Sequence, residues 1–319
     1  MSTRAGARNL AFVFPGQGSQ RPAMGRELSR CGDEARALID RAEELSGVPV
    51  GELMTRADAA TLADPEIAQL TIFVWSSVLA AELATTGLRP DVVAGHSLGE
   101  YPALVEAGCL SWESALALVA RRGRAMAEAA RRQPGAMAAI AGLSLEQVTN
   151  LCRQFSNKRN GAVLVVANLN APRQAVISGT SEQVDEAAEA ARSAGAFRVK
   201  RLPVGGAYHS PLMAEAEREL APLVAAADLR PPRVPFVSSV TGSVVDDIER
   251  YRRVLATQIT RPVRWADTVE RLGRLGATTF VEVGPGRVLS GLGRNMLRTA
   301  EHLAGTEALG TLVAAGQQL

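Results

Sequence analysis

The stretch VVAGHSLGEYPALVEAG, residues 92–108, decides the fold because it places a serine between two glycines where a strand passes into a helix. The apolar residues before Gly95 are typical of a short buried strand, and residues 98–105 are typical of a helix. The Gly-x-Ser-x-Gly frame of Gly95, Ser97 and Gly99 is the pattern of a nucleophile elbow, a sharp turn that raises a serine hydroxyl above a sheet at the positive end of a helix. An ordinary glycine-rich turn has the same five-residue frame, so the interpretation depends on what the rest of the chain offers this serine.

On both sides of this turn, strands and helices alternate along the chain. The segment LAFVFPGQGSQ, residues 10–20, has the pattern of a strand followed by a glycine-rich loop. Alternation of strands with helices predicts an α/β fold with a mostly parallel sheet. The other predicted elements of this part are helices near 33–46, 65–85, 111–132, 211–226, 248–258 and 265–275, and strands at 235–239 and 278–284.

Residues 134–204 follow a different order, strand-helix-strand-strand-helix-strand, which is the arrangement of a ferredoxin-like unit. The first helix begins at Ser144 with Gln147 three residues later, which is a capping box. The second helix has Ser181 as its predicted cap and ends at Gly195. We therefore expect a small domain over 134–204, inserted in a large domain formed by 1–133 and 205–319.

The composition excludes several classes of function. The chain has 319 residues, a net charge of +2 and 4% aromatic residues, so neither charge nor base stacking points to nucleic acid. The longest apolar run, residues 71–84, contains polar side chains and predicts a buried core helix rather than a membrane span. No targeting segment is evident, and the three cysteines have no metal-binding spacing, which suits a reducing cytoplasm: Cys31, Cys109 and Cys152.

A serine nucleophile needs a base within hydrogen-bond reach, and the chain has three histidines. His209 follows a strand end and two glycines, where catalytic groups usually lie, although capping the next helix would also explain it. His96 adjoins Ser97 and is predicted to be structural, and His302 is predicted to lie on the surface. Between Ser97 and His209 no acid stands in a strand-end loop, which favours a Ser-His dyad whose imidazole is held by a backbone carbonyl or an amide.

Two further groups fit acyl transfer. The backbone N–H of Leu98 and an N–H from the loop at residues 15–19 are candidate oxyanion donors. Arg122, on the helix at 111–132, lies on an apolar side beside Leu118 and Met126 and therefore needs an anionic partner. That partner is either a structural carboxylate or the carboxylate of a substrate.

With these pieces assembled, the chain resembles the malonyl-CoA:acyl-carrier-protein transacylases, a family that includes the acyltransferase domains of polyketide synthases. The resemblance covers about residues 9–298 and implies an α/β-hydrolase-like large domain with an inserted ferredoxin-like small domain. The motifs that carry it are FVFPGQGSQ, GHSLGEY, ARRGRAM, GAMAAI, ANLNAPRQAVISG, RLPVGGAYHSPLM, QITRPVRW and FVEVGPGRVL.

The resemblance also implies a role for each site residue. Ser97 is the nucleophile and His209 its base, and Arg122 pairs with the free carboxylate of malonyl. The remaining implied residues are Gln258, whose backbone carbonyl holds the histidine, Gln17 and Leu98, whose backbone amides form the oxyanion hole, and Asn168 and Asn170 near the cleft between the domains.

Two positions bear on the acyl group. Leu98 is the residue that malonyl-type members usually carry after the nucleophile. Tyr208, before the histidine, resembles the phenylalanine of malonyl-type members without matching it, and differs from the serine of methylmalonyl-type members. The substrate is therefore expected to be malonyl-CoA or a related acyl-CoA.

The implied reaction is a ping-pong transfer from coenzyme A to the phosphopantetheine thiol of an acyl carrier protein. It needs no metal or tightly held cofactor, and a monomer is expected. The basic segments 157–160 and 198–201 are candidate docking sites for an acidic carrier protein, or simply solvated faces. Two alternatives remain: a hydrolase that clears stalled acyl groups, which does not need Arg122, and a transferase that takes its acyl group from a carrier protein.

Overall fold

The computed structural model of the protein describes residues 9–156 and 161–316, and its strands form two separate sheets. The larger sheet has the order β10-β9-β1-β2-β7-β8, in which all neighbours are parallel except the antiparallel pair β7 and β8. Every residue of β1 is apolar and buried, as expected for a strand covered on both faces. The strands are β1 (Leu10–Phe14), β2 (Val92–Gly95), β7 (Phe236–Ser238), β8 (Ser243–Val244), β9 (Thr279–Glu282) and β10 (Glu301–Ala304).

The second sheet is antiparallel and has the order β4-β5-β3-β6. Its chain order with two helices between the strands is the predicted ferredoxin-like arrangement, so the fold class is confirmed. Its strands lie within the predicted small domain, whose exact limits, 134–204, stay a prediction. They are β3 (Ala136–Ala141), β4 (Leu164–Ala171), β5 (Gln174–Gly179) and β6 (Arg198–Arg201).

Helices cover both sheets. Short 3₁₀ helices lie at Met24–Arg30, Thr61–Ala63, Ser97–Gly99, Pro211–Met213 and Gln258–Thr260. The α-helices are α1 (Asp33–Ser46), α2 (Val50–Arg56), α3 (Pro65–Thr85), α4 (Glu100–Glu106), α5 (Trp112–Arg132), α6 (Leu145–Ser156), α7 (Ser181–Ser193), α8 (Ala214–Ala226), α9 (Ile248–Ala256), α10 (Trp265–Arg274), α11 (Val288–Met296) and α12 (Glu307–Gly316).

Helix α3 is the core helix that its apolar composition predicts. It begins at Pro65 after the N-cap Asp64, whose side chain accepts a hydrogen bond from the N–H of Glu66. Trp75 at its centre is fully buried and donates to the carbonyl of Met24. Within the described residues, α3 is the one helix whose length and apolarity would suffice to cross a membrane, and most of it is buried inside the protein.

Helix α5 packs against α3 because a glycine removes the obstacle between them. A Cβ at Gly123 would stand 2.8 Å from the Cα of Glu66. The close approach brings buried side chains of the two helices together in the interior. One of these contacts joins Gln69 of α3 to Arg122 of α5.

The local predictions differ from the structure at a few points. The capping box is confirmed, because Ser144 and Gln147 exchange backbone-to-side-chain hydrogen bonds. Ser181 is not the cap of α7: the N-cap is Thr180, whose hydroxyl bonds to Val163 instead of capping the helix. The elements that sequence patterns did not predict are α2, α11, α12, β8 and β10.

The prediction that His302 lies on the surface is wrong. The residue belongs to β10 and is 6% exposed. Its ring stacks on Phe280, with centroids 4.9 Å apart, and its Nε2 lies 3.0 Å from the carbonyl oxygen of Leu297. Gly293 makes room for this ring, since a Cβ there would stand 2.5 Å from it.

Candidate active site

The serine of the elbow has the strained backbone that the sequence predicts. Ser97 has φ 55°, in the left-handed region, and starts a 3₁₀ helix directly after β2. The flanking glycines are required by close backbone approach: a Cβ at Gly95 would stand 2.0 Å from the backbone of Gly99, and a Cβ at Gly99 would stand 2.0 Å from the carbonyl oxygen of Phe14. The glycines therefore permit the turn, and the turn places the Ser97 hydroxyl at the end of the strand.

His209 lies beside this serine, although it is far from it in the chain. Its Nε2 lies 2.7 Å from Ser97 Oγ, and its backbone also has a positive φ, 57°. Its Nδ1 lies 2.8 Å from the carbonyl oxygen of Arg261 and 3.2 Å from that of Gln258. Two carbonyl acceptors require the proton on Nδ1, which leaves Nε2 free to accept the proton of the serine. Both groups at Nδ1 are thus backbone carbonyls, and that of Arg261 is the nearer of the two.

The imidazole is held in its neutral form. Burial, assisted by the charge of Arg122, lowers the pKa of His209 to about 3, against the opposing effect of the two carbonyl hydrogen bonds. The side chain is 5% exposed. Near neutral pH this histidine is therefore a base rather than an acid.

Arg122 is a buried guanidinium with neutral partners. It is 1% exposed, and its N–H groups donate to Gln69 Oε1 at 2.5 Å, to Ser97 Oγ at 3.0 Å and to Gln258 Oε1 at 3.0 Å. Among the described residues its Nε has no hydrogen-bond partner and no carboxylate lies in direct contact with it, although the charge of Glu100 acts on the guanidinium from further away. Burial lowers the pKa of Arg122, which reflects how unfavourable the charge is here. The sequence allowed two anionic partners for Arg122, a carboxylate of the protein or one of the substrate. No carboxylate of the described residues contacts the guanidinium.

The glycine-rich loop after β1 reaches the elbow. A Cβ at Gly16 would stand 2.5 Å from the carbonyl oxygen of His96, so the loop packs directly against the residue before the nucleophile. The backbone N–H of Gln17 makes no hydrogen bond to any residue that the structure describes. Leu98 follows the nucleophile and is buried, and the oxyanion role of its backbone N–H stays a prediction.

A cavity of about 260 Å³ between the two sheets joins these groups. Ala139 and Val176 of the smaller sheet form one wall, and the elbow forms the other. Leu98 and Gln258 lie behind the lining. The other predicted site residues all line the cavity: Gln17, Ser97, Arg122, Asn168, Asn170, Tyr208 and His209.

The two asparagines lie on an irregular part of β4. The register of β4 against β5 shifts between Val166 and Asn168 and again after Leu169, and such irregularities re-aim side chains. Asn170 Oδ1 lies 3.0 Å from Nε2 of His96, which also packs on Trp265. His96 thus has the structural role predicted for it, and it links the elbow to the smaller sheet.

Tyr208 closes the cavity beside the histidine. The side chain is 5% exposed, and burial raises the pKa of Tyr208 to about 12, against a smaller opposing effect of Gln17. A Cβ at Gly206 would stand 2.6 Å from the Tyr208 ring, so the glycine two residues earlier makes room for this large side chain. Within the described residues, no group of histidine, cysteine and acidic side chains could hold a metal ion.

Sequence reasoning missed three residues of this site. Arg261 acts through its backbone carbonyl, which no side-chain pattern reveals. Gln69 lies in the apolar helix α3, where it looks like an isolated polar residue. Glu100 belongs to the GHSLGEY motif, and it is fully buried rather than solvated.

The structure describes only one of the two basic segments that were candidate docking sites. Residues 157–160 lie outside the described residues. Residues 198–201 form β6, where Arg198 and Lys200 are exposed and Arg201 is paired with Asp185. Their docking role stays a prediction.

Comparison with known proteins identifies the family of the chain. The acyl transferase domain family matches residues 11–318. A malonyl CoA-acyl carrier protein transacylase of Bacillus subtilis is 39% identical over 295 residues, which are 92% of this chain and 92% of that protein. The structure of the malonyl CoA-acyl carrier protein transacylase of Coxiella burnetii has a TM-score of 0.91 at 35% identity, covering 96% of this chain and 97% of its own.

A third relative was solved together with its partner. It is a malonyl-transacylase in complex with a type II polyketide synthase acyl-carrier protein, with a TM-score of 0.91 at 32% identity, covering 97% of this chain and 99% of its own. The chain therefore belongs to the acyl transferase domain family, among the malonyl-CoA:acyl-carrier-protein transacylases.

Proposed function

We propose that this protein transfers a malonyl group from coenzyme A to the phosphopantetheine thiol of an acyl carrier protein, in fatty-acid or polyketide biosynthesis. The observation that carries this proposal is the buried guanidinium of Arg122, which contacts the nucleophile and whose hydrogen-bond partners among the described residues are all neutral. A bound malonyl carboxylate supplies the missing charge. A charge-assisted, bidentate pair of this kind is strong and geometrically specific.

In the first half of the reaction, Ser97 Oγ attacks the thioester carbonyl and passes its proton to Nε2 of His209. The backbone N–H groups of Gln17 and Leu98 stabilise the oxyanion of the tetrahedral intermediate. The carbon–sulfur bond then breaks, and the coenzyme A sulfur takes the proton from His209. Malonyl remains as an ester on the serine.

Arg122 links substrate binding to this proton transfer. Its positive charge is one cause of the low pKa of His209. A bound carboxylate neutralises that charge and so raises the basicity of the imidazole. A carboxylate-bearing acyl group thereby favours its own transfer, whereas acetyl does not.

In the second half, His209 takes the proton of the carrier's phosphopantetheine thiol, and the sulfur attacks the serine ester. Ser97 leaves and recovers its proton from the imidazole. The chemistry requires no metal or tightly held cofactor, because the thioester is the substrate and phosphopantetheine arrives with the partner. We expect the protein to act as a cytoplasmic monomer.

The carrier protein distinguishes this transferase from the editing hydrolase that the sequence left open. Acyl-enzyme prepared with malonyl-CoA is mixed with holo carrier protein, with apo carrier protein or with buffer, and malonyl-carrier and free malonate are quantified. The proposal predicts rapid discharge onto the holo carrier and slow release of malonate in the other two mixtures. Equally fast release of malonate in all three would identify a hydrolase.

A further inference from the structure

A buried acid lies behind the proposed site, and no role has been assigned to it. We propose that Glu100 is a positioning residue: its carboxylate holds the side-chain amide of Gln258, which in turn holds Arg122 where a substrate carboxylate can reach it. This inference rests on the proposed function, because it concerns the selection of malonyl over uncharged acyl groups.

The carboxylate of Glu100 is surrounded by donors from three other parts of the chain. Its Oε1 accepts from the Ser238 hydroxyl at 3.0 Å, and from the N–H and hydroxyl of Ser239 at 2.6 and 3.1 Å. Its Oε2 accepts from the Tyr251 hydroxyl at 3.0 Å and from Gln258 Nε2 at 2.6 Å. Burial raises the pKa of Glu100, and these hydrogen bonds oppose that rise. The side chain is thus locked in one place at the start of α4.

The amide of Gln258 has one consistent orientation in this environment. Its Nε2 donates to Glu100 Oε2 and, at 3.0 Å, to the carbonyl oxygen of Ser97. Its Oε1 accepts from Arg122 Nη2 at 3.0 Å. A flipped amide would set donor against donor at the arginine and acceptor against acceptor at the carboxylate. Glu100 therefore acts on Arg122 through the amide, without using any of the guanidinium's own donors.

The dyad depends less on this acid than the arginine does. The closer carbonyl on His209 Nδ1 belongs to Arg261, at 2.8 Å, whereas that of Gln258 lies at 3.2 Å. Loss of the Glu100 contact should therefore disturb Arg122 more than the Ser97–His209 pair. Selectivity for the acyl group should change more than the capacity to form an acyl-enzyme.

The test compares malonyl-CoA with acetyl-CoA as acyl donors for wild type, Glu100→Gln and Glu100→Asp. Glutamine removes the charge, and aspartate keeps the charge but withdraws it by one methylene. The readout is the ratio of kcat/KM for acylation by the two donors. Residues that orient metal ligands typically change affinity or activity about 10- to 100-fold when mutated, and by analogy we expect the malonyl-to-acetyl ratio to fall by about tenfold or more in both variants.

Two further variants guard against damage to the fold. Tyr251→Phe keeps Glu100 and removes one of its donors, so the ratio should fall in the same direction by a smaller factor. Glu282→Gln is the matched control, because Glu282 is also fully buried but accepts from the N–H groups of Leu289 and Ser290, away from Gln258. In this control the acylation rates with malonyl-CoA and acetyl-CoA should change by a similar factor, and the malonyl-to-acetyl ratio should stay unchanged.

Each outcome decides the matter. An unchanged ratio in Glu100→Gln, Glu100→Asp and Tyr251→Phe overturns the inference, as does an equal fall of both rates. A ratio that rises in Glu100→Gln alone also overturns it, because the acid would then oppose malonyl by its charge rather than position the arginine. A wild type that does not prefer malonyl contradicts the proposed function itself, which is a separate result.

Discussion

Among single residues, Arg122 sets the chemistry of the cavity, because a buried charge with no carboxylate in direct contact is costly. Arg122→Ala should lower the malonyl acylation rate by about 150- to 5,000-fold, the equivalent of the ~3–5 kcal/mol of a broken buried pair. Lysine should restore part of the rate only, because it lacks the planar fork. Stopped-flow acylation with malonyl-CoA and acetyl-CoA measures both effects.

The neighbouring arginine on the same helix provides the control. Arg121 is exposed, so Arg121→Ala should leave both rates within about twofold of wild type, as expected for surface substitutions. Equal losses in the Arg121 and Arg122 variants would mean that helix α5, and not the guanidinium, is responsible.

The imidazole of His209 is the single group that should set the pH dependence of the acylation rate. Its lowered pKa of about 3, against the ordinary 6.5, means that the free enzyme keeps a neutral base throughout the range between these values. With acetyl-CoA as donor, kcat/KM for acylation should therefore show no fall at pH 6.5. The neutral imidazole also contributes stability that is complete above pH 6.5 and is lost as the pH falls towards 3, because the unfolded chain binds the proton more tightly.

Arg122→Ala removes one of the causes of that shift. In this variant the acid limb of the acetyl-CoA profile should move to higher pH. A wild-type limb centred near pH 6.5, or a limb that Arg122→Ala leaves in place, would contradict the assigned environment of the histidine.

Among the structural elements, the elbow between β2 and α4 depends on backbone contacts that exclude a Cβ. Gly99→Ala would place a methyl group 2.0 Å from the carbonyl oxygen of Phe14 in β1. The free energy of unfolding should therefore fall by more than the about 1–3 kcal/mol typical of overpacking. Urea unfolding followed by circular dichroism measures this loss.

Gly291→Ala in α11 is the matched change in open space, since a Cβ there meets nothing within 4 Å. A helix gains about 1 kcal/mol or less from this substitution, so the control should be as stable as wild type or slightly more stable. A Gly99→Ala protein as stable as the control would mean that the elbow is looser than described.

The same close contacts explain why the elbow could be predicted from the sequence. Gly95, Ser97 and Gly99 form a local frame, because the backbone of this turn leaves room for small residues only. The alternation of strands and helices around the frame predicts the parallel sheet. His209 became a candidate through the same kind of signal, two glycines and a strand end, and the family resemblance implied its role as base. Both depend on residues near each other in the chain.

Groups that act across the chain were harder to predict. Gln69 lies 53 positions from Arg122 along the chain and becomes its partner only because α3 and α5 pack closely. Arg261 contributes a carbonyl oxygen that any residue would supply. The sequence pattern assigned no role to Glu100, and its burial follows from the packing of β7 and α9 against the elbow. Tertiary packing, not local pattern, places these three.

At the scale of the whole molecule, the site exists because two sheets face each other. The larger sheet supplies the elbow and the amide loop at the ends of β1 and β2, where ligands bind in α/β sheets. The smaller sheet contributes the wall with Asn168 and Val176. The last part of the chain was predicted less well: β10 lies at the edge of the sheet and pairs with a single neighbour.

The central claim is that Ser97 accepts a malonyl group in preference to an uncharged one. Wild type, Ser97→Ala and Ser76→Ala are mixed with equal amounts of malonyl-CoA and acetyl-CoA, and intact-protein mass spectrometry identifies the adducts. Ser76 is a buried serine whose hydroxyl has no hydrogen-bond partner in the described part of the chain, so its replacement by alanine is a matched control. We predict one malonyl group on wild type and Ser76→Ala and none on Ser97→Ala; a malonyl adduct on Ser97→Ala, or mainly acetyl on wild type, would contradict the account.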